Sequence, residues 1–359
     1  MTKPFHIHED IRQSNTLPGA FYNSPEVFAQ VREKIFAHTW LYAADTTHLR
    51  EPLSVYPCTL LPDVLNEPLV FTKDAAGTLH CLSNVCTHRG KIVIEQPGQS
   101  RLLSCGYHGR CFHLDGAFKS MPEFRETANF PTPMDDLAKI PFVEWMGMLF
   151  VSLDPKNDFA EMTRPIRERI GWLPLDTLQL APQDSKDYFI EANWALYCDN
   201  YLEGFHIPFV HPALNQALDF GSYEYEIFDY CNLQVGIAKE GEPCFDLPPD
   251  APDYGKQVYA YYFWLFPNLM LNFYPWGLSM NVVEPLSHRR TAIRYRTLYF
   301  GDTTSHRAVN RIDQTELEDD AVVESVQRGL QSRFYQHGRF SPTQEQGVHH
   351  FHRLVASFL

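Results

Sequence analysis

Two short cysteine–histidine pairs constrain this chain more than any other feature. Cys86-Thr87-His88 is followed, after sixteen residues, by Cys105-Gly106-Tyr107-His108. Each pair offers one thiolate and one imidazole from a single loop, and Gly90, Gly106 and Gly109 let the backbone approach a compact inorganic core. A [2Fe–2S] cluster with two thiolates on one iron and two imidazoles on the other uses this donor set, and the neutral imidazoles raise its reduction potential. A Cys2His2 zinc site would use the same four residues. Structural zinc sites more often pair cysteine with cysteine and histidine with histidine, so the mixed pairs favour the cluster. The other six of the eight cysteines are scattered and no export signal accompanies them, which excludes a secreted disulfide framework.

A second constellation lies in residues 193–211, with the spacing Glu203-x-x-His206-x4-His211. Glu203 and His206, three apart, are expected to share a helix face. His211 would point about 140° away from His206 on an unbroken helix. Pro208 interrupts the helix between them, so both imidazoles can turn toward one point. Two histidines are a weak signal alone; non-haem Fe(II) sites add one carboxylate and leave positions open for O2. A helix expected over about residues 304–334 supplies candidates. Its apolar stripe is Val309, Ile312, Val322, Val323, Val326 and Leu330, and Asp319 lies on it. A carboxylate on a buried stripe is costly unless it is paired or binds a metal. Asp320 falls with Glu324 and Gln327 on the face read as solvated, and Glu318, intermediate, is the alternative ligand. His349, His350 and His352 interleave with Val348, Phe351 and Leu354 as a helix and read as surface or packing residues rather than a metal tract.

At 359 residues the chain exceeds one ordinary core, so two domains are expected. The spacer text from residue 40 to 154 consists of short strand-like runs broken by Pro and Gly, and Asp154-Pro155 reads as the exit from a β domain. Residues 1–39 and 155–359 form the second domain, an antiparallel sheet with helices over it, which makes the whole α+β. Asn23-Ser24-Pro25-Glu26 caps a helix in the first part. A formal charge of −14 leaves no basic stripe for phosphates and argues against nucleic-acid binding. Residues 258–283 carry no charge, but Asn268, Asn272, Asn281 and the interrupting Pro and Gly suit two buried strands around a turn better than a membrane span. With no apolar signal segment in the first residues, a cytoplasmic protein with no membrane contact is expected.

Cys86-x-His88-x16-Cys105-x-x-His108 resembles the motif of Rieske non-haem iron oxygenases. Asn193-Trp194, Asp199-Asn200, Glu203-x-x-His206-x4-His211 and Glu318-Asp319 resemble that family's catalytic-domain motifs, so the likeness spans about residues 20–355. It implies an all-β Rieske [2Fe–2S] domain, with Cys86, His88, Cys105 and His108 holding one cluster per chain. It further implies a catalytic domain in which His206, His211 and Asp319 hold one mononuclear Fe(II). Glu203 and Asn200 would be catalytic, Glu203 carrying electrons from a neighbouring subunit's cluster in a homotrimer. No dinucleotide-binding loop and no plant-type ferredoxin run is present, so NAD(P)H would act only through a separate reductase, with or without a ferredoxin. Two departures stand out. Arg110 occupies a position where the family often has Trp, and Glu203 a position where Asp is commoner. Glu203 is similar to the branch acting on quaternary ammonium compounds, and the rings around residues 197–209 and 263–276 could line a pocket for a methylated cation. An arene dioxygenase or aromatic O-demethylase would share the same metals, and a Rieske electron carrier the same cluster.

Overall fold

The computed structural model describes residues 5–301 and 309–359, apart from the side chains of residues 220 and 309–313. The expected helix start near residue 304 and the stripe side chains of Val309 and Ile312 lie outside the described residues. The chain divides into two compact units, Trp40–Pro155, and Met1–Thr39 joined with Lys156–Leu359.

The first unit is built from short antiparallel sheets. One runs Leu79–Ser83, Glu67–Lys73, Ser54–Leu60 and Gly98–Gln99, and another runs Leu103–Ser104, Cys111–Phe112 and Phe118–Ser120. Leu41–Asp45, Met148–Val151 and Phe142–Trp145 form a third. Apolar residues of the first two sheets close over a core in which Val55, Val70, Leu82, Leu103 and Phe112 pack with Cys86 and Cys105. The two cysteines are therefore anchored by hydrophobic burial before any metal chemistry is considered.

The second unit centres on an eight-stranded antiparallel sheet. The strand Gly277–Ser287 pairs with Leu269–Tyr274 on one side and Arg290–Phe300 on the other. The charge-free stretch thus forms two strands and the first half of a third, one strand more than expected, because Pro275-Trp276 allows a tight reversal. Its asparagines are buried and bonded: Asn268 Nδ2 donates to Val283 O at 2.8 Å and Asn272 Nδ2 to Ser279 O at 3.0 Å. No helix among the described residues is long and apolar enough to cross a membrane.

Helices cover this sheet. Ser24 caps Pro25–Val31 by accepting from Val27 N at 3.2 Å, as its sequence signature indicates. Asn193 caps Trp194–Tyr201 through Ala195 N. The helix Val309–Gly329 carries the candidate carboxylates, and Gln346–Phe358 packs His349 and His352 inward. His352 Nε2 lies 2.9 Å from Asp199 Oδ1, so these histidines serve packing and hydrogen bonding.

Candidate functional site

The helix Trp194–Tyr201 stops before Glu203, so Glu203 and His206 do not share a helix face as expected. Their contact is made across a turn. Glu203 Oε2 accepts from His206 N at 3.1 Å, and Oε1 lies 2.7 Å from His206 Nδ1. A carboxylate that satisfies both the backbone and the ring of the same residue fixes that ring more firmly than helical spacing would. A short helix, Ile207–Val210, then opens on Pro208 and ends at His211, whose φ of −116° and ψ of 78° turn its side chain back.

His206, His211 and Asp319 bring one ligand atom each to within 4.8 Å of one another. His211 Nε2 lies 3.0 Å from Asp319 Oδ1 and His206 Nε2 lies 3.5 Å from the same oxygen. The opposite ring nitrogens face outer carboxylates: Glu203 for His206, and Glu318 Oε2, at 2.8 Å, for His211. Glu318 therefore stands behind a ring while Asp319 converges with both. Two Nε2 atoms and one carboxylate oxygen, with the outer nitrogens held, fit a facially bound non-haem iron. Burial alone disfavours a charged His211, but its bonds to Asp319 and Glu318 outweigh this and raise its pKa.

The helix Val309–Gly329 departs from the expected stripe. Its inward face is Glu316, Asp319, Asp320, Val323, Gln327 and Leu330, whereas Val326 is exposed. Gln327 and Asp320 are not on a wet face. Gln327 Oε1 accepts from Asn193 N at 2.8 Å, so a polar side chain satisfies buried backbone where an apolar one could not. Glu316, only 1 % exposed, accepts from Tyr197 Oη at 2.7 Å and also from Tyr295 Oη. Its Oε1 and Asp320 Oδ1 are buried without another polar partner, one helical turn apart, and the two carboxyls contact each other, so that a proton held by one can serve both. Burial pushes Glu316 well above the usual carboxylate range and Asp320 up to about 7. Glu316 was legible at three residues before Asp319, had the inner face been traced through polar positions.

The trio opens on a cavity of about 520 Å3 that Asn200, Glu203 and Glu242 also line. Of the rings considered from sequence, Tyr197, Tyr201, Tyr274 and Trp276 line it. Phe263, Trp264, Phe266 and Phe273 are core, while Phe205 and Phe209 are 43 % and 79 % exposed. Sequence reasoning missed Tyr223, Tyr259, Tyr262 and Tyr295. Tyr274 stacks on Trp276 at 5.1 Å and meets Tyr259 and Tyr262 edge-on at 5.9 and 6.0 Å, giving a continuous aromatic wall. Among the described lining residues there is no Lys or Arg.

The cysteine–histidine loops in the other unit are near copies of one another. Cys86 N donates to Lys91 O and Gly90 N to Cys86 O; Cys105 N donates to Arg110 O and Gly109 N to Cys105 O. Gly90 and Gly109 both take φ of +71°, a conformation that favours glycine. Both cysteines are 3 % exposed, while His108 is exposed and His88 half-buried, with ring centroids 4.8 Å apart. Burial raises the Cys86 thiol, opposed by the N–H groups of His88 and Arg89 aimed at its sulfur. Buried thiols with backbone donors on one side and outward imidazoles on the other suit a [2Fe–2S] cluster ligated unequally at its two irons.

The model of the Rieske [2Fe–2S] domain matches residues 39–131, and that of the ring hydroxylating alpha subunit (catalytic domain) matches residues 175–359. The chloroplastic choline monooxygenase of Beta vulgaris is 29 % identical over 94 % of this chain and 75 % of its own length. The carnitine monooxygenase oxygenase subunit of Escherichia coli (strain K12) is 28 % identical, covering 95 % of this chain and 93 % of its own. A solved quaternary ammonium Rieske monooxygenase, described for carnitine oxidation by gut microbiota and inter-subunit electron transfer, superposes with a TM-score of 0.79. It is 25 % identical, over 97 % of this chain and 96 % of that one. With the paired loops inside one family match and the imidazole–carboxylate trio inside the other, the chain belongs to the ring-hydroxylating alpha subunits of the Rieske non-haem iron oxygenases.

Proposed function

We propose that this chain is the oxygenase component of a monooxygenase acting on a quaternary ammonium compound. The observation that carries this reading is the wall beside His206, His211 and Asp319: tyrosine and tryptophan rings, the carboxylates Glu203 and Glu242, and no Lys or Arg among the described lining residues. A methylated cation gains about 0.5–2 kcal/mol from each ring face it meets, and the acidic lining adds to that attraction. The names of the choline and carnitine monooxygenases support the same substrate class.

Cys86, His88, Cys105 and His108 hold the cluster, and His206, His211 and Asp319 the iron. When bound, the cluster supplies electrons singly and the iron supplies O2 activation. The chain's own groups do the rest. Glu203 and Glu318 fix the two imidazoles from behind. Glu316 holds Tyr197 and Tyr295 by their hydroxyl protons, so both oxygens keep one orientation at the cavity wall. Asn200 offers an amide to the same cavity. Electrons come from a separate NAD(P)H-dependent reductase, directly or through a ferredoxin. Glu203 links them to His206 between subunits of a homotrimer, in keeping with the inter-subunit transfer described for the relative.

The test is a substrate competition. With a generic reductase, choline, carnitine, glycine betaine or proline betaine is expected to raise NADH-coupled O2 uptake and melting temperature, while benzoates and naphthalene do neither. Coupled uptake with an arene alone would replace this reading by an aromatic-ring oxygenase.

A further inference from the structure

Among the largest fully buried side chains of the described residues only one is charged, Arg110. Its guanidinium lies over the rings of Phe118, Phe130 and Phe112, at 5.0, 5.5 and 5.7 Å from their centroids. One terminal nitrogen donates to Asp135 Oδ1 at 2.6 Å. Burying this charge is tolerable because the carboxylate and the ring faces replace water.

The pair is also tied to both loops that carry the cluster ligands. The main-chain carbonyl of Arg110 accepts from Cys105 N at 2.8 Å, which closes the second loop. The carbonyl of Asp135 accepts from Thr87 Oγ1 at 2.8 Å, and Thr87 sits between Cys86 and His88 in the first. Asp135 is itself held by Thr132, whose N donates to Oδ2 at 2.7 Å. The aromatic packing continues from Phe130 to Phe124 at 4.9 Å and from Phe124 to the His88 ring at 5.5 Å. Two opposite charges are therefore fixed against the loops, Arg110 buried among rings, where salt screens it little, and Asp135 partly open to solvent.

We propose that the Arg110–Asp135 pair sets the reduction potential of the cluster, as two opposed fixed charges clasped across both ligand loops. The inference rests on the reading of Cys86, His88, Cys105 and His108 as cluster ligands. A nearby positive charge favours the reduced cluster and raises its potential, whereas a negative one lowers it. Arg110 and Asp135 act through the loops and touch no substrate, so they are positioning residues.

The experiment is a redox titration of the holoprotein, followed by visible absorbance and by EPR of the reduced cluster. R110M leaves Asp135 unbalanced and is expected to shift the midpoint to more negative values. D135N leaves Arg110 unbalanced and shifts it to more positive values. The double variant returns toward the wild-type midpoint, and R110K stays near it. A clasp that merely stiffened the loops would move both single variants in the same direction, and that result, or no movement in either, overturns the proposal. If R110M fails to retain its cluster, D135N decides: a rise supports the proposal, and a fall or no change overturns it. Failure of the underlying ligand reading would show separately, as a wild-type protein without the EPR signal of mixed cysteine–histidine ligation.

Discussion

Replacing Asp320 by asparagine takes one carboxylate from a helix face that already carries Glu316 and Asp319. Burial, with the charges of Asp319 and Glu324 adding to it, pushes the Asp320 carboxyl from 3.8 to about 7 in the metal-free protein. The unfolded chain ionises near 3.8, so between about pH 4 and pH 7 the folded state keeps a proton that the unfolded state has shed. Stability is thus intact below that window and falls as pH rises through it. A pKa difference of about 3 corresponds to about 4 kcal/mol. Sharing of one proton with Glu316 reduces what a single substitution can recover, so about half, about 2 kcal/mol, is expected at pH 8. Asparagine keeps the shape and cannot ionise. D320N should match the wild type near pH 4 and melt about 4–8 °C higher at pH 8, on the scale expected for a domain of this size. Calorimetry or dye-monitored melting of chelator-treated protein at several pH values measures this. A constant offset at every pH, or a less stable D320N at pH 8, would refute the reasoning.

Asp319→Ala is expected to lose the mononuclear iron and keep the cluster, lowering iron from about three to about two per chain, while Glu318→Ala keeps the iron with an affinity about 10–100-fold weaker. Equal loss in both variants would show that His211 is not held in the way its two contacts indicate. Gly347→Ala places a Cβ 2.3 Å from the Leu202 carbonyl, next to the Glu203 turn. It should cost about 1–3 kcal/mol in thermal melting and weaken iron retention as well, since the turn must move. A variant that melts as the wild type does would show that the helix yields instead.

Much of the site was legible because metal ligation uses few residue types at fixed spacings. The paired loops around Cys86 and Cys105 could be read directly, and Asp319 was reachable from the cost of burying a carboxylate. What was misread shares one cause. Periodicity arguments assume that an inward face is apolar, and the helix Val309–Gly329 turns Glu316, Asp320 and Gln327 inward because buried hydroxyls, a neighbouring carboxyl and a backbone N–H wait there to be satisfied. The break between Tyr201 and Ile207 was invisible for a related reason. Glu203 bonds to the backbone and the ring of His206, and such local side-chain contacts compete with helix continuation without leaving a strong pattern in the sequence. Tyr259 and Tyr262 come from one strand, Val258–Leu265, whose two faces only the sheet register resolves, and Tyr223 lies just before the strand Glu224–Ile227.

The split of the chain into one continuous unit, Trp40–Pro155, and one discontinuous unit has a consequence for biogenesis. The four proposed cluster donors lie within 23 consecutive residues, inside a unit whose strands all come from one stretch of chain. That unit can close, and present its donors, while the ribosome is still making the rest. His211 and Asp319 are 108 residues apart, and the strands that wall the cavity are made between them. Loop closure over that separation has to precede any gain from the contacts it makes, so the iron pocket is a late product of folding. Cells short of cluster assembly and cells short of free iron should therefore accumulate different immature forms of the same chain. One has an iron pocket without a cluster. The other is a cluster-bearing protein whose second unit opens more readily to proteases.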